Sequence, residues 1–377
     1  SKLVKGAGYS IKLPFIDVSE IGAGGGSVVW FDEGGLMKVG PESAGSFPGP
    51  VCYDLGGDKV TLTDANLLLG YLNPTGLLDG SMKINHKKAF SHVKHIVGDH
   101  LNLSAMDAAM GIFTVAVNNM VRAVKSVSTY RGRDPREFTL VAFGGNGAVL
   151  VAAIADELNI TKFLVPSRSG VLSAAGLLAA DTTNERVRYL LGVVGDLEDD
   201  LVLSAFDSLG AEASTQLLEQ GFSSTEISIG MFADLRYKGQ AFELTVPIDI
   251  HTPKLTNMLA QRFHEEHQRT YGHKSTEEQV ELVSIRVSAR VSKPKEITLE
   301  RGESSSAKLE RRMVKFKANA AVEETIILKG REHIDNKCIF GPAIIEEYDS
   351  TIVIPPDWRA EVDVSGNLIV SKGKGKS

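Results

Sequence analysis

The alternation of apolar and polar residues over positions 138–158 predicts a strand, a tight turn and a helix in immediate succession. Apolar β-formers run up to Phe143, a glycine cluster follows, and an alanine-rich apolar run begins at Ala148. The same order of strand, turn and helix recurs over residues 163–180. Strands that alternate with helices in this way are typical of an α/β layer built on a mostly parallel sheet.

Helical periodicity is clearest over residues 104–130, where apolar positions recur at a spacing of about 3.6 residues. Ser104 and Asp107 resemble a capping box at the start of this helix. Beyond residue 200, helices are predicted at 201–220 and 255–271, and a strand of alternating polarity is predicted at 280–291. We therefore predict an α/β domain at residues 1–195 and an α+β domain at residues 196–377.

The glycine cluster that separates the predicted strand from the predicted helix contains Gly144, Gly145, Asn146 and Gly147. Glycine lacks a Cβ atom, so the backbone can adopt positive φ and a ligand can approach it closely. The start of a helix presents unpaired N–H groups and the positive end of a dipole, which suits an anion or a nucleotide. An ordinary strand-to-helix turn has the same pattern, so both interpretations stay open.

A second glycine-rich turn contains Gly24, Gly25, Gly26 and Ser27, and it lies between two predicted strands. Fixing several glycines costs more backbone entropy than fixing other residues. One interpretation is a bulged hairpin. The other is a cradle of backbone N–H groups that binds phosphate.

Asp64 lies at the start of a helix predicted over Ala65–Leu72. Either Thr63 or Asp64 would cap that helix through its side-chain oxygen. Alternatively, the Asp64 carboxylate would contact Mg²⁺ or lie near a bound phosphate. Asp64 is therefore the candidate catalytic residue.

Three histidines cluster around the end of the helix predicted at 255–271, namely His264, His267 and His273. His264 and His267 are spaced i, i+3 and share one helix face, so a metal pair is one interpretation. Solvated imidazoles are the other, because no third ligand accompanies the pair. The sequence assigns no metal ligands.

Composition narrows the class of protein. A hydrophobic content of 43% and a charged content of 23% are ordinary for globular domains. A net charge of −6 argues against a nucleic-acid-binding protein, which usually carries a basic face. The two cysteines, Cys52 and Cys338, form no disulfide framework and are typical of the reducing cytoplasm. No apolar run approaches the roughly 20 residues that span a bilayer, so we expect no membrane segment.

Six segments together resemble the A subunit of the hydantoinase/oxoprolinase family, which includes N-methylhydantoinases, 5-oxoprolinases, caprolactamase and the acetone and acetophenone carboxylases. Each segment alone is weakly specific, but together they span nearly the whole chain in the expected order. The matching segments are Ile21–Tyr53, Thr63–Leu72, Arg131–Gly147, Leu164–Asp181, Asp234–Pro247 and Gly341–Trp358.

The resemblance implies a partial ATPase domain of the actin and sugar-kinase type at residues 1–195, followed by the C-terminal α+β domain. It implies that ATP with Mg²⁺ phosphorylates an amide or carbonyl oxygen of a small molecule, in a multisubunit assembly with a B-type subunit. The turn at 144–147 would approach the adenosine and α-phosphate. The turn at 24–27 would line the phosphate side, and Asp64 would contact a Mg²⁺-bound water or the substrate.

Two departures from the family pattern affect these expectations. Family members carry an N-terminal half with two phosphate-binding Gly-Gly-Thr motifs, so we expect this chain to be a fragment or to receive that half from another chain. The family usually has a histidine where this chain has Leu150.

Three functional hypotheses follow from the resemblance. The first is part of an ATP-dependent hydrolase of a hydantoin, 5-oxoproline or a lactam. The second is a subunit of an ATP-dependent ketone carboxylase, and the third is an assembly module without activity of its own. A sugar or acid kinase is a weaker alternative, because residues 341–358 match the hydantoinase pattern.

Overall fold

The computed structural model describes residues 18–250, 254–293, 309–334 and 338–373 of the chain. Its helices are α1 (Leu62–Leu68), α2 (His86–His92), α3 (Asp99–Leu101), α4 (Ala105–Val127), α5 (Gly147–Glu157), α6 (Leu172–Ala179), α7 (Asp199–Glu219) and α8 (Leu255–Tyr271). A π-helical segment, Val93–Gly98, joins α2 to α3. None of the described helices is by itself both long and apolar enough to cross a membrane, although the bent pair 86–101 and 105–127 meets the requirement on length and composition.

The strands fall into four sheets. They are β1 (Ser27–Phe31), β2 (Met37–Ser43), β3 (Leu140–Val141), β4 (Lys162–Val165), β5 (Thr182–Val193), β6 (Ile227–Tyr237), β7 (Leu244–Ile248), β8 (Val280–Val291), β9 (Glu310–Val314), β10 (Glu323–Lys329), β11 (Cys338–Phe340), β12 (Ala343–Glu346), β13 (Thr351–Ile354), β14 (Trp358–Val362) and β15 (Leu368–Lys372). The sheet orders are β1-β2, β13-β12-β10-β9, β11-β14-β15-β4-β3 and β5-β8-β6-β7.

The chain divides into two compact units, and the division differs from the one predicted. The first unit lies within residues 1–174 and 300–377, and the second lies within residues 175–299. The end of the chain belongs to the first unit because β15 pairs with β4, with Val370 opposite Phe163. The predicted boundary between residues 195 and 196 therefore does not coincide with the boundaries of the compact units.

The sheet that carries the predicted strand–turn–helix motif is mostly antiparallel. Only β3 and β4 run parallel in it, as expected for two strands joined through a helix. Strands β14, β15 and β11 complete the sheet with antiparallel pairs. The prediction of a mostly parallel sheet is wrong, because the strands that extend it come from the distant C-terminal segment.

Helix α5 occupies the centre of the first unit because its residues are apolar around the whole circumference. Ala148, Val149, Leu150 and Val151 are all buried. The helix contacts α4, β4 and β13, which come from distant parts of the sequence and share one core with it. Leu150, at the position where the family has a histidine, is fully buried in this core.

The second unit is an α+β layer in which α7 and α8 pack on the sheet β5-β8-β6-β7. Its core contains large apolar residues from both helices and the sheet, including Phe206, Phe263 and Leu235. The predicted bounds of α8 and β8 match those observed, because both segments show strong periodicity.

Candidate functional site

The two glycine-rich turns lie side by side in the first unit. The N–H of Thr63 donates to the carbonyl of Gly25 at 2.9 Å, which fixes the first turn against α1. A Cβ atom added at Gly25 would lie 2.7 Å from Thr63 Oγ1 and 3.8 Å from Asn146 Cγ. Glycine is therefore required at position 25 to bring the two turns and the start of α1 together.

Helix α1 connects to the second turn through a pair of amide side chains. Asn66 Nδ2 donates to Asn146 Oδ1 at 3.0 Å, and Asn66 is fully buried. The remaining atoms of the pair, Asn66 Oδ1 and Asn146 Nδ2, are buried without a hydrogen-bond partner among the described residues. Buried polar atoms of this kind usually bond to water or to a ligand.

Both turns line one cavity of about 1630 Å³ in the first unit. Gly25 and Gly26 contribute from the first turn, and Gly145 and Asn146 contribute from the second. Most of the remaining wall comes from the loop at 72–82, the turn at 167–171, and the mostly polar or charged residues at 310–312, 329–332 and 346–351. Four of the eight predicted binding residues thus line one cavity, and the sequence predicted none of its charged wall residues.

The other four predicted binding residues shape the turns instead of lining the cavity. Ser27 Oγ accepts from the N–H of Gly24 at 2.9 Å, and the Ser27 N–H donates back to the Gly24 carbonyl at 3.0 Å. Gly144 has a φ of +79°, which a residue with a side chain rarely adopts. Gly147 is the first residue of α5.

Backbone donors point to an anionic ligand at the cavity. The amide N–H groups of Gly25, Gly26, Gly145 and Asn146 donate to no acceptor among the described residues. A Cβ atom at Gly26 would lie 2.8 Å from Ser43 Oγ, so this backbone also stays bare of side chains. Clustered free N–H groups beside a helix start form a concave site for phosphate oxygens.

Asp64 serves as a structural clamp. Its carboxylate accepts from the N–H of Cys52 at 2.7 Å, from the N–H of Val51 at 3.3 Å, and from the N–H and Oγ1 of Thr61 at 2.8 Å each. The N-cap of α1 is Thr61, so the predicted N-cap position is wrong, but Asp64 does cap the helix as the N3 residue of a capping box. Asp64 is fully buried and does not line the cavity, so the contact with Mg²⁺ or substrate stays a prediction from the sequence.

Burial raises the pKa of the neighbouring Cys52 thiol far above its usual range, and the Asp64 charge adds to this effect. The thiol therefore stays protonated. Cys52 is buried against the clamp and makes no contribution to the cavity wall.

Another part of the cavity wall carries ion pairs that no sequence motif had indicated. Glu346 accepts from Arg312 at 2.6 Å and pairs with Lys329, while Arg331 pairs with Glu347. Arg331 also donates to the carbonyls of Val165 and Gly366 at 3.1 and 2.8 Å. Only the inclusion of Glu346 and Glu347 in the matching segment 341–358 could have drawn attention to this wall.

The histidine cluster lies in the second unit, where its rings contact other protein groups. His267 is 2% exposed, its Nδ1 is 2.8 Å from the His273 carbonyl, and its Nε2 faces Gln240. The hydroxyl of Tyr237 accepts from the Ser275 N–H and lies 3.0 Å from His264 Nδ1. No group of three metal-ligating side chains occurs within the described ranges. Both predicted alternatives for His267 are wrong, because its ring is buried and hydrogen-bonded to protein.

The chain matches two family models. The one described as Hydantoinase/oxoprolinase matches residues 2–186, and the one described as Hydantoinase/oxoprolinase C-terminal domain matches residues 198–369. The interval between the two matches includes the boundary predicted at residues 195 and 196.

Curated relatives cover nearly all of the chain. An uncharacterized protein of Methanocaldococcus jannaschii is 40% identical over 98% of this chain and 53% of its own length. The caprolactamase subunit alpha of Pseudomonas jessenii is 33% identical over 97% of this chain and 54% of its own length. The chain thus spans about half the length of the curated relatives that it matches.

Two solved structures share the fold. The ATP-dependent caprolactamase from Pseudomonas jessenii matches with a TM-score of 0.76 at 31% identity, over 93% of this chain and 52% of that chain. Acetone carboxylase in its nucleotide-free form matches with a TM-score of 0.75 at 25% identity, again over 93% and 52%.

Proposed function

The chain belongs to the hydantoinase/oxoprolinase family, and on this premise we propose that it forms a nucleotide-binding part of an ATP-dependent hydrolase of cyclic amides. The observation that carries the proposal is the convergence of Gly25, Gly26, Gly145 and Asn146 on one cavity, with their N–H groups unpaired among the described residues. These groups suit the phosphate oxygens of ATP.

The residues present fit the nucleotide. Cβ atoms at Gly25 or Gly26 would meet neighbouring side chains at under 3 Å, so the cradle depends on glycine at both positions. The Asn66–Asn146 pair offers an unpaired acceptor and an unpaired donor beneath the same turn. Bound ATP would supply the phosphoryl group that activates an amide oxygen toward hydrolysis. The backbone N–H groups would hold its phosphates by preorganised hydrogen bonds.

Sequence similarity favours cyclic-amide hydrolysis over ketone carboxylation. The caprolactamase subunit is 33% identical to this chain, and the caprolactamase structure is more similar in sequence than acetone carboxylase. The TM-scores of 0.76 and 0.75 are nearly equal, so the carboxylase stays the second candidate.

Partner chains belong to the proposal. The caprolactamase relative is a subunit alpha, and this chain spans about half of its length. We propose that a polypeptide equivalent to the other half of that relative completes the ATP-binding site. We also propose that a B-type subunit supplies further parts of the substrate site in a cytoplasmic assembly.

Calorimetric titration with ATP and Mg²⁺ tests the nucleotide site through Gly145→Val. A Cβ atom at Gly145 comes no closer than 3.7 Å to the Asp349 carbonyl, so the fold tolerates the larger side chain. The valine would occupy the space beside the turn that the phosphates of ATP need. We therefore expect the affinity for ATP to fall at least about tenfold. Gly210→Ala in α7 is the control, because that glycine belongs to the second unit, does not line the cavity and has no neighbour within 4 Å of an added Cβ.

Two outcomes would overturn the proposal. Equal affinity of the wild type and Gly145→Val would remove the second turn from the nucleotide site. Absence of any nucleotide affinity in a chain that elutes as a clean monomer would favour the assembly module instead. Comparing a lactam with a ketone plus bicarbonate as substrates, in the presence of the partner subunits, would separate the two enzymatic candidates.

A further inference from the structure

Arg168 presents an unpaired cation at the cavity. It follows the carboxyl end of β4 and lines the cavity wall together with Ser167 and Val171. Its φ and ψ are +54° and +49°, a left-handed conformation that costs a non-glycine residue about 1–2 kcal/mol. Its guanidinium makes no hydrogen bond or ion pair with any described residue. Conformational strain held at a cavity wall suggests a functional constraint.

The turn that carries Arg168 is fixed on both sides. The N–H of Ser167 donates to Asn367 Oδ1 at 3.0 Å. Ser169 accepts from the Gly144 N–H at 2.8 Å through its carbonyl, and its hydroxyl donates to Ser350 Oγ at 3.0 Å. The turn is thus tied directly to the second glycine turn. Arg168 is therefore presented from a rigid frame next to the proposed nucleotide cradle.

The other cations of the cavity wall already have carboxylate partners. Arg312 and Lys329 share Glu346, Arg331 pairs with Glu347, and Arg311 pairs with Glu324. Among the lysines and arginines that line the cavity in the described part of the chain, Arg168 is the one whose charge no carboxylate neutralises.

Asp349 is an unpaired anion beside the same turn. It lines the cavity, is half-buried, and forms no ion pair or hydrogen bond through its carboxylate within the described residues. Its side chain packs so closely on Gly170 that an added Cβ there would lie 2.5 Å from Asp349 Cγ. Arg168 and Asp349 thus flank one rigid turn with opposite charges, yet no ion pair joins them.

We propose that Arg168 and Asp349 form a subsite for a phosphate group that carries a divalent cation. The guanidinium fork matches two phosphate oxygens. The carboxylate provides an oxygen ligand for the cation or for one of its bound waters, as Mg²⁺ prefers. A ligand with adjoining negative and positive charges complements two opposite charges that do not neutralise each other. This inference rests on the proposed function, which it extends by naming the residues that recognise the metal–phosphate.

Titration calorimetry with two probes, a nonhydrolysable ATP analogue and pyrophosphate, tests the subsite, each probe with Mg²⁺ and with EDTA. Arg168→Gln removes the charge but keeps a side chain with the same backbone preference. We expect it to weaken both probes about tenfold to a hundredfold, as for loss of charge-assisted hydrogen bonds. Arg311→Gln is the control on the same cavity, because the Arg311 charge is already paired with Glu324. The affinity of this variant for both probes should stay within about twofold of the wild type.

Asp349→Asn has a different signature that a structural role would not produce. It should abolish most of the Mg²⁺-dependent gain in affinity. With EDTA the same variant should bind both probes as tightly as the wild type or more tightly, because the carboxylate no longer repels the phosphate. Thermal unfolding of each variant confirms that the fold is intact, and Asp349→Glu should restore part of the Mg²⁺ dependence.

The outcomes separate the subsite from the proposed function. Equal losses for Arg168→Gln and Arg311→Gln, or an unaltered Mg²⁺ dependence in Asp349→Asn, would overturn the subsite while leaving nucleotide binding in place. If pyrophosphate binds in an Arg168-dependent manner and the nucleotide does not bind, the subsite stands and the proposed function fails. No binding of either probe to the wild type would overturn both.

Discussion

The buried clamp at Asp64 gives the sharpest stability prediction. Asp64→Asn preserves the size of the side chain but removes its charge and turns one oxygen into an amide donor. Asp64 accepts four hydrogen bonds from Val51, Cys52 and Thr61. If the remaining oxygen of the substituted side chain faces Thr61, its new NH₂ group takes the place of Asp64 Oδ1. In the wild type that oxygen accepts from the Cys52 N–H at 2.7 Å, so two donors would then face each other.

The magnitude follows from these contacts. One buried N–H left without an acceptor costs about 1–3 kcal/mol, and the three surviving bonds together lose about 2 kcal/mol because the acceptor is no longer charged. We expect the free energy of unfolding to fall by about 3–5 kcal/mol. With a urea m-value of about 2–3 kcal/mol per molar, the midpoint should fall by about 1–2 M.

Tryptophan fluorescence is the appropriate assay, because both tryptophans of the chain, Trp30 and Trp358, lie in the first unit. Asp54→Asn is the matched control. Asp54 is exposed and close in sequence, and asparagine tolerates its φ of +57°. A midpoint for Asp64→Asn as close to the wild type as that of Asp54→Asn would refute the clamp. It would also return Asp64 to the catalytic role predicted from the sequence.

Three further predictions follow from other contacts. Arg331→Met should destabilise the first unit by about 3–5 kcal/mol in urea unfolding, because it leaves the Glu347 carboxylate and two backbone carbonyls without their donor. Arg359→Met, which removes a surface ion pair, should cost far less. Burial, with the nearby Lys274 and His267, holds the pKa of His264 below 6.5, so the neutral ring that faces the Tyr237 hydroxyl stabilises the second unit above pH 6.5. That stability should fall as the pH drops through the folded-state pKa, and circular dichroism of His264→Gln should show a flatter pH dependence. Gly25→Ala should weaken ATP binding more than Gly24→Ala, because only the former places a Cβ within 3 Å of Thr63; equal calorimetric affinities would contradict this.

Local patterns predicted the elements well where periodicity was strong. The strand, turn and helix around 144–147 and the bounds of α8 and β8 follow from nearest-neighbour chemistry. Pairing of β15 with β4 depends on contacts about 200 residues apart, as in Val370 opposite Phe163, so no local pattern could reveal it.

The candidate site was predicted only on its glycine side. Glycine clusters have a physical signature in sequence, because few other residues allow positive φ and close approach. Four charged wall residues carry no such signature, because in the sequence they look like ordinary surface residues. They are Glu346 and Glu347, which form ion pairs, and Arg168 and Asp349, which form none within the described part of the chain. Their role depends on which of them finds a partner, and that is a property of the fold. Asp64 shows the converse, since a carboxylate at a helix start has the same sequence signature whether it caps the helix or contacts a metal.

The central claim is that two turns distant in the chain form one site for a nucleotide. Hydrogen–deuterium exchange with mass spectrometry, with and without a nonhydrolysable ATP analogue and Mg²⁺, tests it most directly. The account predicts that peptides containing Gly24–Ser27 and Gly144–Gly147 slow their exchange together and at the same ligand concentration, while peptides from α8 do not change. Protection of one turn without the other, or of neither at a concentration where the analogue binds, would contradict it.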